Sequence, residues 1–348
     1  MAIGRLRRPA LLRLGTVLVS TLLGLVMAEG LVRLSGFRPV ASVVPRAHPN
    51  EPTLNVPDPI LGWRPRPGFH RFRGYTPDAP RIAMTILSDG SRAASRLPFP
   101  RDRRVVFVGD SFTAGWAVSD TETYVWKLQA RYPAMEFRNY GAAGYSGLQA
   151  LLRVEEDLAS RPTPPELVVY GFNDDQERRN VATAAWLWMI SLDSSNGTVE
   201  VPFASLDESG RLVRHPPATR TTWPLRDRFA IVPLLEQSWL AWSTRHRAEE
   251  ARRVTELVIE AMDRAVRDRG GRFLVAILAG PENVRTHYLE YLARHGIEAV
   301  DCSYGRGPIV RGEGHPSGEG HSRWAACLAP SLDAALATSP AASSASSR

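Results

Sequence analysis

Ser111 lies in the run Gly109-Asp110-Ser111-Phe112-Thr113, directly after the apolar stretch Val105-Val106-Phe107-Val108. A short continuous apolar run closed by glycine and aspartate suits a strand buried on both faces, so the serine falls on a strand-to-helix turn. There it sits near the positive end of the following helix dipole, where developing negative charge is favoured. The chemistry that fits is attack by the serine oxygen on an ester carbonyl, for which the neutral hydroxyl needs a positioned base. Taken alone, the pentapeptide also fits an ordinary N-cap serine. Two of the chain's eight histidines, His315 and His321, share the segment His-Pro-Ser-Gly-Glu-Gly-His. Their spacing is not that of a helical metal pair and no neighbouring cluster completes a metal site, so no metal and no other cofactor is expected.

Similar apolar runs recur at Leu167-Val168-Val169-Tyr170 and from Phe273 to Leu278, and more weakly at Phe137-Arg138-Asn139 and from Ile297 to Val300. Between them lie helical patterns. The clearest places Ala251, Val254, Leu257, Val258, Ala261, Met262, Ala265 and Val266 three and four apart and stops at Gly270-Gly271. Strands alternating with helices predict a three-layer α/β/α sandwich on a mainly parallel, five-stranded sheet, with sites at the carboxyl ends of the strands. Residues 182 to 230 interrupt the alternation with Trp186-Leu187-Trp188-Met189-Ile190, an Asn196-Gly197 turn and a Ser209-Gly210 turn. They read as an insertion containing a hairpin over the carboxyl edge of the sheet. Its tryptophans fill the insertion's own core or, alternatively, line an acyl or sugar site. The tail from Ala334 is expected to be disordered.

Four blocks occur in the order and chemistry of a known family. Gly109-Asp110-Ser111, Asn139-Tyr140-Gly141-Ala142-Ala143-Gly144, Gly171-Phe172-Asn173-Asp174 and Glu313-Gly314-His315-Pro316 resemble the four motifs of the SGNH (GDSL-type) hydrolases, over residues 104 to 332. More loosely, Asp58 to Trp63, Leu87 to Arg92 and Ala117-Val118-Ser119-Asp120 look like the N-terminal extension of membrane-anchored members linked with surface polysaccharides. The resemblance implies a flavodoxin-like sheet, Ser111 as nucleophile and His315 as base, with His321 in a packing and capping role. It implies an oxyanion hole from the N–H of Ser111, the N–H of Gly144 and the side-chain amide of Asn173, and a glycine at 144 allows close backbone approach. Asp110 and Asp174 are expected to hold loops through hydrogen bonds. The family commonly has aspartate three residues before the histidine, where this chain has Gly312. Glu313 is therefore the candidate orienter; the alternative is an exposed loop glutamate, with His315 oriented by a backbone carbonyl.

The net charge of +7 comes largely from arginine spread along the chain, and no zinc-finger spacing or basic-aromatic platform accompanies it. No nucleic-acid partner is expected. Cys302 and Cys327 are too few for a disulfide scaffold and are not a CxxC motif; a pair in an oxidising compartment and two small buried hydrophobes both fit. Arg5, Arg7, Arg8 and Arg13 precede an uncharged run from Leu14 to Ala28. Leu11, Leu12, Leu31 and Val32 extend it to about the 20 residues a bilayer core needs. The basic flank keeps the N-terminus in the cytoplasm and exports everything after about residue 33; a signal peptide cut after Ala28 is the alternative.

The expected organisation is a cytoplasmic tip and anchor over 1–33, a linker and small irregular β extension over 34–100, a catalytic domain over 101–333 and a tail over 334–348. The expected protein is a single-pass one of the bacterial inner membrane with its catalytic domain in the periplasm or outside the cell. It would hydrolyse O-acyl, acetyl in the first instance, esters of a carbohydrate or cell-envelope substrate through an acyl-enzyme. An O-acetyltransferase acting on exported polysaccharide, and a non-catalytic polysaccharide-binding or assembly protein of the envelope, are the alternatives.

Overall fold

The apolar N-terminal run forms one helix, α1 (Arg8–Leu34), of which Leu12–Leu34 is long and apolar enough to cross a membrane, its leucines and most of its valines exposed. The structure, a computed structural model, describes residues 8–42, 54–73, 80–96, 101–192, 198–305, 307–311 and 314–337. After α1 come two antiparallel hairpins, β1 (Asn55–Asp58) with β2 (Gly62–Pro65) and β3 (Gly68–Arg73) with β4 (Arg81–Ile86). The first turns at Asp58, whose Oδ1 accepts the N–H groups of Ile60 (2.9 Å) and Leu61 (2.8 Å), as an Asx turn requires.

The sheet domain follows in alternation: β5 (Arg104–Gly109), the short α2 (Ser111–Ala114), α3 (Tyr124–Arg131), β6 (Glu136–Asn139), α4 (Gly147–Ser160), β7 (Leu167–Phe172) and α5 (Asp175–Asn180). The insertion is α6 (Ala184–Leu192) and a hairpin of β8 (Thr198–Leu206) and β9 (Leu212–Thr221), which turns through Ser209-Gly210. The expected Asn196-Gly197 turn lies outside the described residues. Then come α7 (Ile231–Arg267), β10 (Arg272–Ile277), α8 (Glu282–Arg294), β11 (Glu298–Asp301) and α9 (Gly318–Ala337).

The sheet is five-stranded and wholly parallel, in the order β11-β10-β7-β5-β6. Strand alternation divides the core between its two faces. Val106, Val108, Val168 and Tyr170 meet Leu151 and Val154 of α4, Val258 and Met262 of α7 and Tyr288 of α8. Val105, Phe107 and Val169 meet Tyr124 and Leu128 of α3 and Trp324 and Leu328 of α9. Each such side chain contributes roughly 1.5–3 kcal/mol by leaving water, so the two faces fix the register of every strand.

Two expectations change. Helix α7 runs for 37 residues, well beyond the apolar pattern at 251–266, because only its second half packs on the sheet. The tail does not begin at Ala334: α9 continues to Ala337, with Ala335 and Leu336 buried against the sheet's second face. Residues 338–348 lie outside the described residues.

Candidate active site

In this strand order the chain reverses direction between β5 and β7, the switch point at which a crevice opens beyond the carboxyl ends of a parallel sheet. Gly109 and Gly171 are paired in register there, and Ser111 and Asn173 each stand two residues beyond that pair. The Thr113 side chain fills the space above both glycines: a Cβ at Gly109 would lie 2.4 Å, and one at Gly171 2.1 Å, from Thr113 Oγ1. The motif glycines are thus small because the turn after Ser111 folds back over the strand ends.

Ser111 is the first residue of α2 and is 6% exposed. Asp110 caps that helix, its Oδ1 accepting the Phe112 N–H at 2.9 Å. The first N–H groups of a helix have no intrahelical acceptor, so the Ser111 N–H is free for a ligand. At the other end of α2, the buried Arg92 donates to the carbonyls of Ala114 (2.7 Å), Gly115 (2.5 Å) and Val118 (2.7 Å) and pairs with Asp120 at 2.9 Å. Two of the loosely matched extension blocks therefore meet under the serine's helix.

His315 Nε2 stands 3.1 Å from Ser111 Oγ, within reach for the hydroxyl to donate. The loop that carries it is pinned by backbone bonds from Val310 N–H to His315 O (2.8 Å) and from Ser317 N–H to Pro308 O (2.9 Å), and its ring packs edge-on to Phe112. His321 is placed differently. It is buried, its Nδ1 accepts the N–H of Tyr124 at 3.2 Å, and its ring stacks on Tyr124. Tyr124 opens α3, so His321 closes off an N–H that the helix itself leaves unpaired. Burial, reinforced by the charges of Arg92 and Lys127, pushes its pKa down to about 3. A ring held neutral and already accepting a main-chain bond is not free to serve Ser111. Gly312 and Glu313 lie outside the described residues.

Asn173 is buried, and its amide orientation is set from both ends: Nδ2 donates to Asp110 Oδ2 at 2.7 Å and Oδ1 accepts the Asp175 N–H at 3.1 Å. One Nδ2 hydrogen remains for an oxyanion. Asp110 Oδ2 also accepts from Arg179 at 2.6 Å, so this fully buried carboxylate ties α2, the Asn173 loop and α5 together. Asp174 does not share that task. It is half-buried, its carboxyl bonds no other residue among the described residues, and burial together with the neighbouring Asp175 raises its pKa. Arg179 donates instead to Asp175, at 3.0 Å, one turn before it on α5, while Asp174 precedes the helix.

Gly144 has φ +77, a conformation glycine adopts without strain. An added Cβ would lie 3.1 Å from the Trp186 ring and 3.4 Å from that of Trp63. Its N–H has no backbone acceptor among the described residues. The preceding carbonyl, Ala143 O, accepts the indole N–H of Trp63 at 3.1 Å, while Tyr145 OH donates to Trp63 O at 2.8 Å. Arg179 lies over the Trp186 ring at 4.8 Å. The Gly144 loop is thus held between the N-terminal hairpin and the insertion. Sequence reasoning passed over Trp63, Arg92, Arg179 and this use of Trp186; only Trp63 and Arg92 carried a signal, as ends of the extension blocks.

No protein-family model and no curated protein matches the chain. Among solved structures it is similar to a lipolytic protein of the G-D-S-L family from Veillonella parvula, at 13% identity, covering 66% of this chain and 98% of that one, with a TM-score of 0.36. It is also similar to the psychrotrophic esterase EstA from Pseudoalteromonas, at 11% identity, covering 67% and 98%, with a TM-score of 0.40. A mutant of Axe2, an acetyl-xylooligosaccharide esterase from Geobacillus, is similar at 14% identity over 68% and 96%, with a TM-score of 0.36. The chain itself folds on a five-stranded parallel sheet, with Ser111 and Asn173 beyond the carboxyl ends of its strands and His315 beside Ser111.

Proposed function

We propose that the chain is a serine esterase that cleaves O-acyl, in the first instance acetyl, esters of a carbohydrate or cell-envelope substrate outside the cytoplasm. The observation that carries this reading is His315 Nε2 at 3.1 Å from a serine oxygen at the start of a helix. As Ser111 Oγ attacks the ester carbonyl, its proton passes to His315 Nε2. The carbonyl oxygen becomes negative and is met by the N–H of Ser111, the N–H of Gly144 and the second Nδ2 hydrogen of Asn173. The imidazolium then protonates the leaving alkoxide, leaving an acyl-serine. Water repeats the sequence with His315 as base, releasing the acid and restoring the serine. Each oxyanion donor typically accounts for on the order of 100-fold or more in rate.

The geometry favours this over a non-catalytic envelope protein, which has no physical need to keep Ser111 and His315 in contact. Export is supported by the apolar helix at Leu12–Leu34 and by the Cys302–Cys327 disulfide, a bond that persists in oxidising compartments. The test is labelling of the full chain with a fluorophosphonate and turnover of 4-nitrophenyl acetate. Ser111→Ala and His315→Ala should each abolish labelling and lower kcat by on the order of 10⁶-fold. A folded wild type that neither labels nor turns over would overturn the proposal.

A further inference from the structure

The end of α1 is bonded to the start of α7. The Glu29 carboxylate accepts the N–H groups of Ala230 (2.8 Å) and Ile231 (3.0 Å), Arg33 donates to Arg228 O at 2.9 Å, and the Val40 N–H donates to Arg226 O at 3.0 Å. These bonds place the first turn of α7 level with Glu29, where the uncharged run from Leu14 to Ala28 ends. A spanning helix meets the headgroup layer where its uncharged run ends.

From that level the outer face of α7 reads Ile231, Leu235, Trp239, Trp242, His246, Glu249, positions three and four apart that share one side of a helix. Leu235, Trp239 and Trp242 are 50%, 47% and 65% exposed, whereas Pro233, Glu236, Leu240 and Thr244 on the inner face are buried. The outer face is therefore mainly apolar for the turns nearest α1, with the exposed Ser238 between Leu235 and Trp242, and polar beyond them. Leu225 and Phe229, also exposed, extend the patch into the preceding turn. An arginine lies against each tryptophan: the exposed Arg245 at 5.5 Å from the Trp242 ring, and Arg220, itself paired with the buried Glu236 at 3.2 Å, at 5.7 Å from that of Trp239. Single exposed apolar side chains need no explanation, but a contiguous aromatic patch does.

We infer that the first three turns of α7, with residues 225–229, lie on the lipid bilayer beside α1, Trp239 and Trp242 seated at the headgroup level and the exposed Arg245 facing lipid phosphates. The occupant is a lipid surface because the patch is continuous with the apolar helix and because it turns polar with distance from that helix. Tryptophan with a basic partner is the composition of a membrane-interface belt. Helix α7 is continuous from this patch to Val258 and Met262 in the core, so the contact holds the sheet domain in a fixed attitude to the membrane. The inference rests on α1 crossing the membrane, as in the localisation reading above, and not on the esterase chemistry.

The test reconstitutes the full chain in phosphatidylcholine–phosphatidylglycerol vesicles with and without lipids brominated near the headgroup. Wild type should lose tryptophan emission to the brominated lipid, and the Trp239→Phe/Trp242→Phe variant should lose most of that quenching while still labelling with fluorophosphonate. Quenching of these two tryptophans by aqueous iodide instead, in protein that stays with the vesicles through alkaline carbonate, would overturn the inference and leave the anchor standing. Shielding from both quenchers, with Trp242→Cys chains forming a disulfide-linked dimer, would overturn it in favour of a second copy. Release of the chain by carbonate would remove the anchor and the inference together, with labelling reporting the esterase reading separately.

Discussion

The indole N–H of Trp63 donates to the carbonyl oxygen of Ala143 at 3.1 Å. A trans peptide unit points its C=O and N–H in opposite directions, so this bond sets the direction of the Gly144 N–H. A residue of the N-terminal hairpin thereby orients a proposed oxyanion donor. Trp63→Phe keeps the ring and removes the donor; it should lower kcat by about 10-fold, a fraction of the loss of a whole oxyanion donor, with little change in KM or thermal midpoint. Equal effects on kcat and KM would assign Trp63 to substrate binding instead.

Asp110 and Arg179 form a buried ion pair at 2.6 Å, with the carboxylate fully buried. Arg179→Met leaves that charge unpaired and should cost about 3–5 kcal/mol in urea unfolding. Adding Asp110→Asn should recover part of this loss. A single variant as stable as wild type would refute the pairing.

His321 gives a pH dependence whose sign follows from its burial. Its folded pKa of about 3 lies below the 6.5 of an unperturbed histidine, so the unfolded chain takes up the proton first. The stabilisation is complete above pH 6.5 and is lost as pH falls toward 3, at up to about 1.4 kcal/mol per pH unit. His321→Asn keeps an acceptor for the Tyr124 N–H and does not titrate there. Thermal midpoints between pH 7 and pH 5 should fall less steeply in this variant than in wild type; parallel curves would count against the assignment.

The Cys302–Cys327 disulfide closes a loop that contains His315. Replacing both cysteines with alanine should cost about 3 kcal/mol and slow fluorophosphonate labelling, because the histidine loop then loses the covalent tie between its two ends. Labelling at the wild-type rate in the destabilised variant would show that the loop holds the histidine without the disulfide.

The sequence by itself determined the layered sheet and the order of its site. Continuous apolar runs at 105–108, 167–170 and 273–278, too short for helices and rich in valine, suit parallel strands buried on both faces, and a loop after such a strand opens at the sheet's carboxyl edge. Ser111 and Asn173 could be placed there because their positions are local to strand ends. The choice between His315 and His321 was carried by resemblance alone, since two histidines six residues apart look alike in a sequence. Only the tertiary structure separated them, by burying one against the Tyr124 N–H and setting the other beside Ser111. Trp63, Arg92 and Arg179 were likewise undecided. Each acts on groups 22 to 80 residues away, and such contacts depend on how the hairpin, the insertion and the sheet pack together, which no local periodicity encodes.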